Sequence, residues 1–127
     1  MKQAKSADTL AIRCARAMDE KIGANILVLD VVGLTPIADY MVIATANSAS
    51  HQRALAEAIE EELEKTGNKP HHIEGGGDTP WILVDLVGVI IHIFREDSRK
   101  YYDLEHLWGD AKKVAWKTRK PAKKRKK

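Results

Sequence analysis

The chain has 127 residues, the length of one domain, and its 44% hydrophobic content is enough for a single core. No run approaches the roughly 20 apolar residues of a membrane span, and the opening Met1-Lys2-Gln3-Ala4-Lys5-Ser6 has no apolar signal region, so the expectation is a cytoplasmic protein without a membrane partner. Ten of the 21 Lys and Arg residues follow Ala111 with no acid among them, and the other 11 face all 18 acids, so the body carries about −7 and the tail about +10.

In chain order, residues 8–22 read as an amphipathic helix. Leu10, Cys14, Ala17 and Met18 share one face at i, i+4, i+7, i+8 spacing, with Arg13, Arg16 and Glu20 largely elsewhere. Asp8 or Ser6 is the expected cap, and Gly23 the expected left-handed stop. Cys14, the single cysteine, lies on the apolar face and reads as a small buried thiol rather than a nucleophile or ligand. Ile26–Asp30 and Tyr40–Ala44 are short continuous apolar runs, the pattern of strands covered on both faces, with Pro36 breaking the loop between them.

Ser48 or Ser50 caps a long helix to about Thr66. Its stripe is Ala54, Leu55, Ala58, Ile59 and Leu63, and its exposed face holds Glu57, Glu60, Glu61 and Glu64. Gly67-Asn68 ends it. His71–Glu74 is a brief strand, and Gly75–Pro80 a loop. Trp81–Asp85 and Val89–Phe94 are apolar strands three residues apart, which predicts a hairpin. A last short helix is expected near Asp103–Trp108, and residues 112–127 form a basic tail whose Lys-rich end lacks the pattern of a folded element. The order gives an α/β fold in which helices pack on a mixed sheet.

The residues for catalysis do not gather. His71 and His72 are adjacent, so a strand points them to opposite faces, and no Cys-x-x-Cys or His-Glu-x-x-His is present. None of Ser48, Ser50 and Ser98 sits in a Gly-x-Ser-x-Gly elbow. Gly75-Gly76-Gly77 lacks the following Lys-Ser/Thr and the helix of a phosphate loop. Asp30, Asp39 and Asp85 are dispersed at strand ends, where aspartates often satisfy turn amides, and no Asp-x-Asp occurs. No metal, cofactor or catalytic residue is expected.

What remains is a binding composition. Trp81, Tyr101, Tyr102 and Trp108 gather before the tail, interleaved with Asp85, His92, Arg95, Arg99, Asp103 and Glu105. Aromatic anchors among charges are the make-up of protein-interface hot spots. The competing reading is that they close the core, which is preferred for Phe94 and Leu104; for Trp81, Tyr101 and Tyr102 both readings stand. An acidic body attracts basic proteins and repels phosphate, and the tail does the reverse.

Four ordered blocks carry a resemblance. Asp39-Tyr40-Met41-Val42-Ile43-Ala44-Thr45-Ala46-Asn47-Ser48 resembles the Asp-Tyr-aromatic-Val-Ile-Ala-Thr-Gly-x-Ser element of the ribosomal silencing factor S family, also called Iojap-like. Ile73-Glu74-Gly75 with Trp81-Ile82-Leu83-Val84-Asp85 is similar to its Glu-Gly…Trp-x-Leu-x-Asp element, and Val89–Phe94 to its Val-x-Val-His-x-Phe strand. Arg99-Lys100-Tyr101-Tyr102-Asp103-Leu104-Glu105-His106-Leu107-Trp108 resembles its closing Arg-x-Tyr-Tyr-x-Leu-Glu-x-Leu-Trp element. Ala46 stands where the family has Gly, and Leu86-Val87-Gly88 makes an unusually apolar hairpin tip in place of a polar turn.

The resemblance implies a nucleotidyltransferase-like fold lacking catalytic residues, over residues 1–111. It implies a translational repressor that binds ribosomal protein L-fourteen of the large ribosomal subunit, blocks association with the small subunit, and is a homodimer when free. Trp81, Asp85, His92, Arg99, Tyr101, Tyr102 and Glu105 are the expected partner-binding residues, with a ribosomal RNA contact expected from the tail. A minimal nucleotidyltransferase and a general RNA-binding module acting through the tail are the rival readings.

Overall fold

In the computed structural model, which describes residues 2–67, 69–75, 79–96, 109 and 111–117, two helices lie on one face of a six-stranded mixed sheet. The elements are α1 (Lys2–Glu20), β1 (Ala24–Asp30), β2 (Ala38–Ala46), α2 (Ala49–Glu64), β3 (His72–Gly75), β4 (Trp81–Asp85), β5 (Gly88–Arg95) and β6 (Lys112–Lys113). The strand order is β3-β4-β5-β2-β1-β6, and every neighbouring pair is antiparallel except β2 with β5. Neither described helix is long and apolar enough to cross a membrane.

Alternation along the strands divides the core in two. Ile26, Val28, Tyr40, Val42, Ala44, Ile82, Val84, Val89, Ile91 and Ile93 face the helices and meet Ala11, Cys14, Ala15, Met18, Leu55, Ile59 and Leu63. Leu29, Met41, Ile43, Ile90 and Phe94 form a second cluster on the opposite face, joined by Leu27, Trp81 and Leu83. Two buried faces explain why β1, β2 and β5 read as unbroken apolar runs rather than as alternation.

The expected apolar stripes are in place, with Ala54 and Leu10 only partly buried. Burial pushes the Cys14 thiol up to about 12, so it stays protonated and unreactive. Arg13 Nε and Nη2 both donate to Glu62 Oε2, at 2.9 and 2.8 Å, and tie α1 to α2. That hydrogen bond, the main cause, holds the Glu62 carboxyl below its usual range. Ser48 is the cap of α2, accepting from the His51 amide at 3.1 Å; Ser50 lies inside the helix. His51 adds a tie absent from the sequence reading. Its Nδ1 accepts from the Asn47 amide at 3.0 Å, so its Nε2 carries the proton and donates to the Lys21 carbonyl at 2.8 Å.

Several boundaries differ from the sequence reading. α1 starts at Lys2, so Ser6 and Asp8 lie within the helix and neither sits at its start. At its other end Gly23 is not the left-handed residue: Ile22 is, at φ 66°, while the Gly23 amide reaches back to the Met18 carbonyl at 2.9 Å. The segment from Lys112, expected to begin a separate tail, runs along the sheet edge as far as it is described. β6 pairs with β1, the Val114 amide donates to Val28 at 2.8 Å, and Trp116 Nε1 donates to Ile26 at 3.1 Å. Arg16 Nε closes this strap on the Trp116 carbonyl at 2.6 Å. The expected helix near 103–108 falls outside the described residues.

The predicted hairpin is β4–β5. Val87 and Gly88 both have positive φ, 61° and 94°, as a type I′ turn requires. A β-branched residue is costly there, and the Asp85 carboxylate steadies it by accepting from the Val87 amide at 3.0 Å. Val87→Asn is therefore expected to stabilise the chain by about 1 kcal/mol, since Asn-Gly suits this turn. A raised urea midpoint with an unchanged slope checks it.

Candidate functional site

β4 and β5 place the sequence-predicted residues. Cα partners across the pair are Trp81 with Phe94, Leu83 with His92 and Asp85 with Ile90. Facing residues of antiparallel strands point the same way. Trp81, Leu83 and Asp85 therefore project from the face opposite the helices, together with His92 and Phe94. Three of the seven expected contact residues, Trp81, Asp85 and His92, are thus brought to one face of the sheet, His92 beneath its surface. Arg99, Tyr101, Tyr102 and Glu105 lie outside the described residues.

β3 extends this surface. It is exposed throughout, in keeping with a solvated edge strand, and pairs His72 with Asp85 and Glu74 with Leu83. His72 and Glu74 therefore share the face of Trp81 and Asp85, and His72 Nε2 lies 3.1 Å from Glu74 Oε2. Glu74 is not among the contact residues expected from the sequence. The available signal was the period of two along His72–Glu74, but only the cross-strand register sets it beside Leu83. Gly75 makes the register possible: it adopts φ +92°, and a Cβ there would clash with the Trp81 carbonyl oxygen.

The aromatic centre is ordered by its neighbours. The Trp81 ring lies 5.0 Å from Phe94 and 5.7 Å from His92, tilted to both. Trp81 Nε1 donates to His92 Nδ1 at 3.1 Å. Trp81 is half-buried, whereas His92 is 5% exposed, and burial pushes its imidazole down to about 4. His92 is therefore neutral at physiological pH. Of the apolar hairpin tip, Leu86 turns into the core and Val87 is exposed.

Asp30 and Asp85 each satisfy a turn amide two residues on, at 3.0 Å, as expected of strand-end aspartates. Among the described residues, no three His, Cys, Asp or Glu side chains gather where they could hold a metal ion.

Residues 4–127 match the protein family described as ribosomal silencing factor during starvation. The chain belongs to this family. A ribosomal silencing factor RsfS of Bacillus subtilis is 41% identical over 97 residues, which cover 76% of this chain and 82% of that protein. The chloroplastic protein Iojap of Zea mays is 32% identical over 106 residues, 81% of this chain and 45% of its own length. The crystal structure of a Chromobacterium violaceum protein superposes with a TM-score of 0.74 at 32% identity, covering 93% of this chain and 97% of that one. The family resemblance seen in the four sequence blocks, and the α/β mixed-sheet fold, are thereby established. As a silencing-factor family member, the chain is a regulatory protein whose partner is ribosomal.

Proposed function

We propose that the chain represses translation, without catalysis, by seating the Trp81–Asp85 face on ribosomal protein L-fourteen of the large subunit and excluding the small subunit. The observation that carries this reading is the surface itself: a half-buried indole that shares one sheet face with Asp85 and Glu74. A basic ribosomal protein offers the complementary charge, and an aromatic anchor beside acids is what an interface hot spot needs. Arg99, Tyr101, Tyr102 and Glu105 complete the contact set in this reading, and the free chain is a cytoplasmic homodimer. Repression then requires occupancy alone, so it tracks the bound fraction.

The basic residues after Lys117 add contacts to ribosomal RNA in the same reading. The described strap contacts come from Lys112, Lys113, Val114 and Trp116, so a chain lacking residues 118–127 keeps them. This deletion is expected to weaken binding to large subunits and to flatten its salt dependence. An identical salt slope would remove phosphate contacts from the account. The reading as a whole is tested by titrating the full chain into a subunit-joining reaction. Joined ribosomes are expected to fall in proportion to the bound fraction, and undiminished joining at saturation would overturn it.

A further inference from the structure

A buried histidine is costly unless both ring nitrogens find partners. His92 finds one. The indole nitrogen of Trp81 can only donate, so His92 Nδ1, 3.1 Å away, is the acceptor, and the neutral ring carries its own proton on Nε2. Among the described residues, Nε2 is buried and has no hydrogen-bond partner. An apolar side chain would avoid that unpaired donor, and β5 is otherwise built from such residues: Val89, Ile90, Ile91, Ile93 and Phe94. Packing alone therefore does not account for a histidine at this place. Its acceptor for Trp81 does.

The geometry around the indole has the same sense. Phe94 lies 5.0 Å from Trp81 at an interplanar angle of 34°, and His92 lies parallel to Phe94 within 6° at 6.2 Å. Ring packing limits where the indole lies but leaves its edge undirected. The hydrogen bond selects one orientation from the staggered set open to a half-buried tryptophan. An anchor fixed before docking loses less freedom on binding.

We infer that His92 is a positioning residue of the docking face: it presets the Trp81 indole through Nδ1 and does not itself touch the partner. The inference rests on the docking function proposed above, yet its hydrogen bond is readable in the free protein. Two measurements test it on the full chain: the Trp81 indole N–H resonance without ribosomes, and affinity for purified large subunits. His92→Leu is expected to move the resonance and weaken binding about tenfold. His92→Asn, whose Oδ1 offers an acceptor near the Nδ1 position, restores the resonance and brings affinity back to within about threefold of wild type. In a Trp81→Phe background, His92→Leu adds no further loss, because the effect passes through the indole. If His92→Leu folds poorly, His92→Gln replaces it, since its amide reaches the Nε2 side and leaves the Nδ1 place without an acceptor. An unmoved resonance overturns the inference, as does an equal loss of affinity in the Trp81→Phe background. Failure of the wild-type chain to bind large subunits would instead sink the docking function, while the resonance still decides the hydrogen bond.

Discussion

Trp81→Ala is expected to reduce affinity for the large ribosomal subunit by about 30-fold or more, while the protein stays folded. The indole sits half-buried at the start of β4, packed against Phe94 and hydrogen-bonded to His92. It shares with Asp85 and Glu74 a face that no described helix covers. Truncation removes the anchor and uncovers Phe94, so the docking surface loses both area and shape. Co-sedimentation, read beside circular dichroism and a melting curve, checks the result. Undiminished binding would remove Trp81 from the site. Loss of the fold would assign it to the core, and Trp81→Phe, which keeps most of the packing, then separates the two roles.

Acidification is expected to cost the fold about 3 kcal/mol through His92 alone between pH 7 and pH 4. The folded ring titrates at about 4 because burial disfavours its charged form, against 6.5 for the ordinary side chain. Between those values the unfolded chain binds a proton that the folded chain refuses. The contribution is therefore fully present above about pH 6.5 and is lost as pH falls toward 4. Contributions from all other groups are common to both proteins, so the quantity to measure is the difference between wild type and His92→Asn. Urea unfolding at pH 7 and pH 4 is expected to show the wild type losing about 3 kcal/mol more than the variant. Equal losses would contradict the burial of a neutral imidazole.

Much of this architecture was legible because local patterns carry it. The α2 stripe and its Ser48 cap repeat at helical spacing, and the β4–β5 hairpin is two apolar runs around a short turn ending in Gly88. The first turns of α1 were not legible, since Lys2–Asp8 has no apolar stripe to mark a helical face. Its left-handed residue lies one position before the expected one because Ile22, a poor left-handed residue, takes the place that a glycine rule gives to Gly23. Position 52 shows the same limit. Gln52 interrupts the apolar stripe, yet it is buried because its Nε2 reaches the Ile93 carbonyl at 3.1 Å on β5.

The site divides along similar lines. Trp81, Asp85 and His92 were identified from composition and from the family blocks. That they share one face follows from the β4–β5 register. Glu74 and His72 depend on the β3–β4 register, a long-range pairing that no local window encodes. The β6 strap was hidden in a Lys-rich stretch where Val114 and Trp116 are the only large apolar residues, and both pack against the helix-side core.

Sedimentation of the full chain with purified large or small subunits at low salt, with free ribosomal RNA as competitor, addresses the central claim most directly. The account predicts saturable pelleting with large subunits, none with small ones, and displacement by free ribosomal protein L-fourteen far more readily than by RNA. Equal pelleting with both subunits, or competition by naked RNA as effective as by intact large subunits, would contradict it.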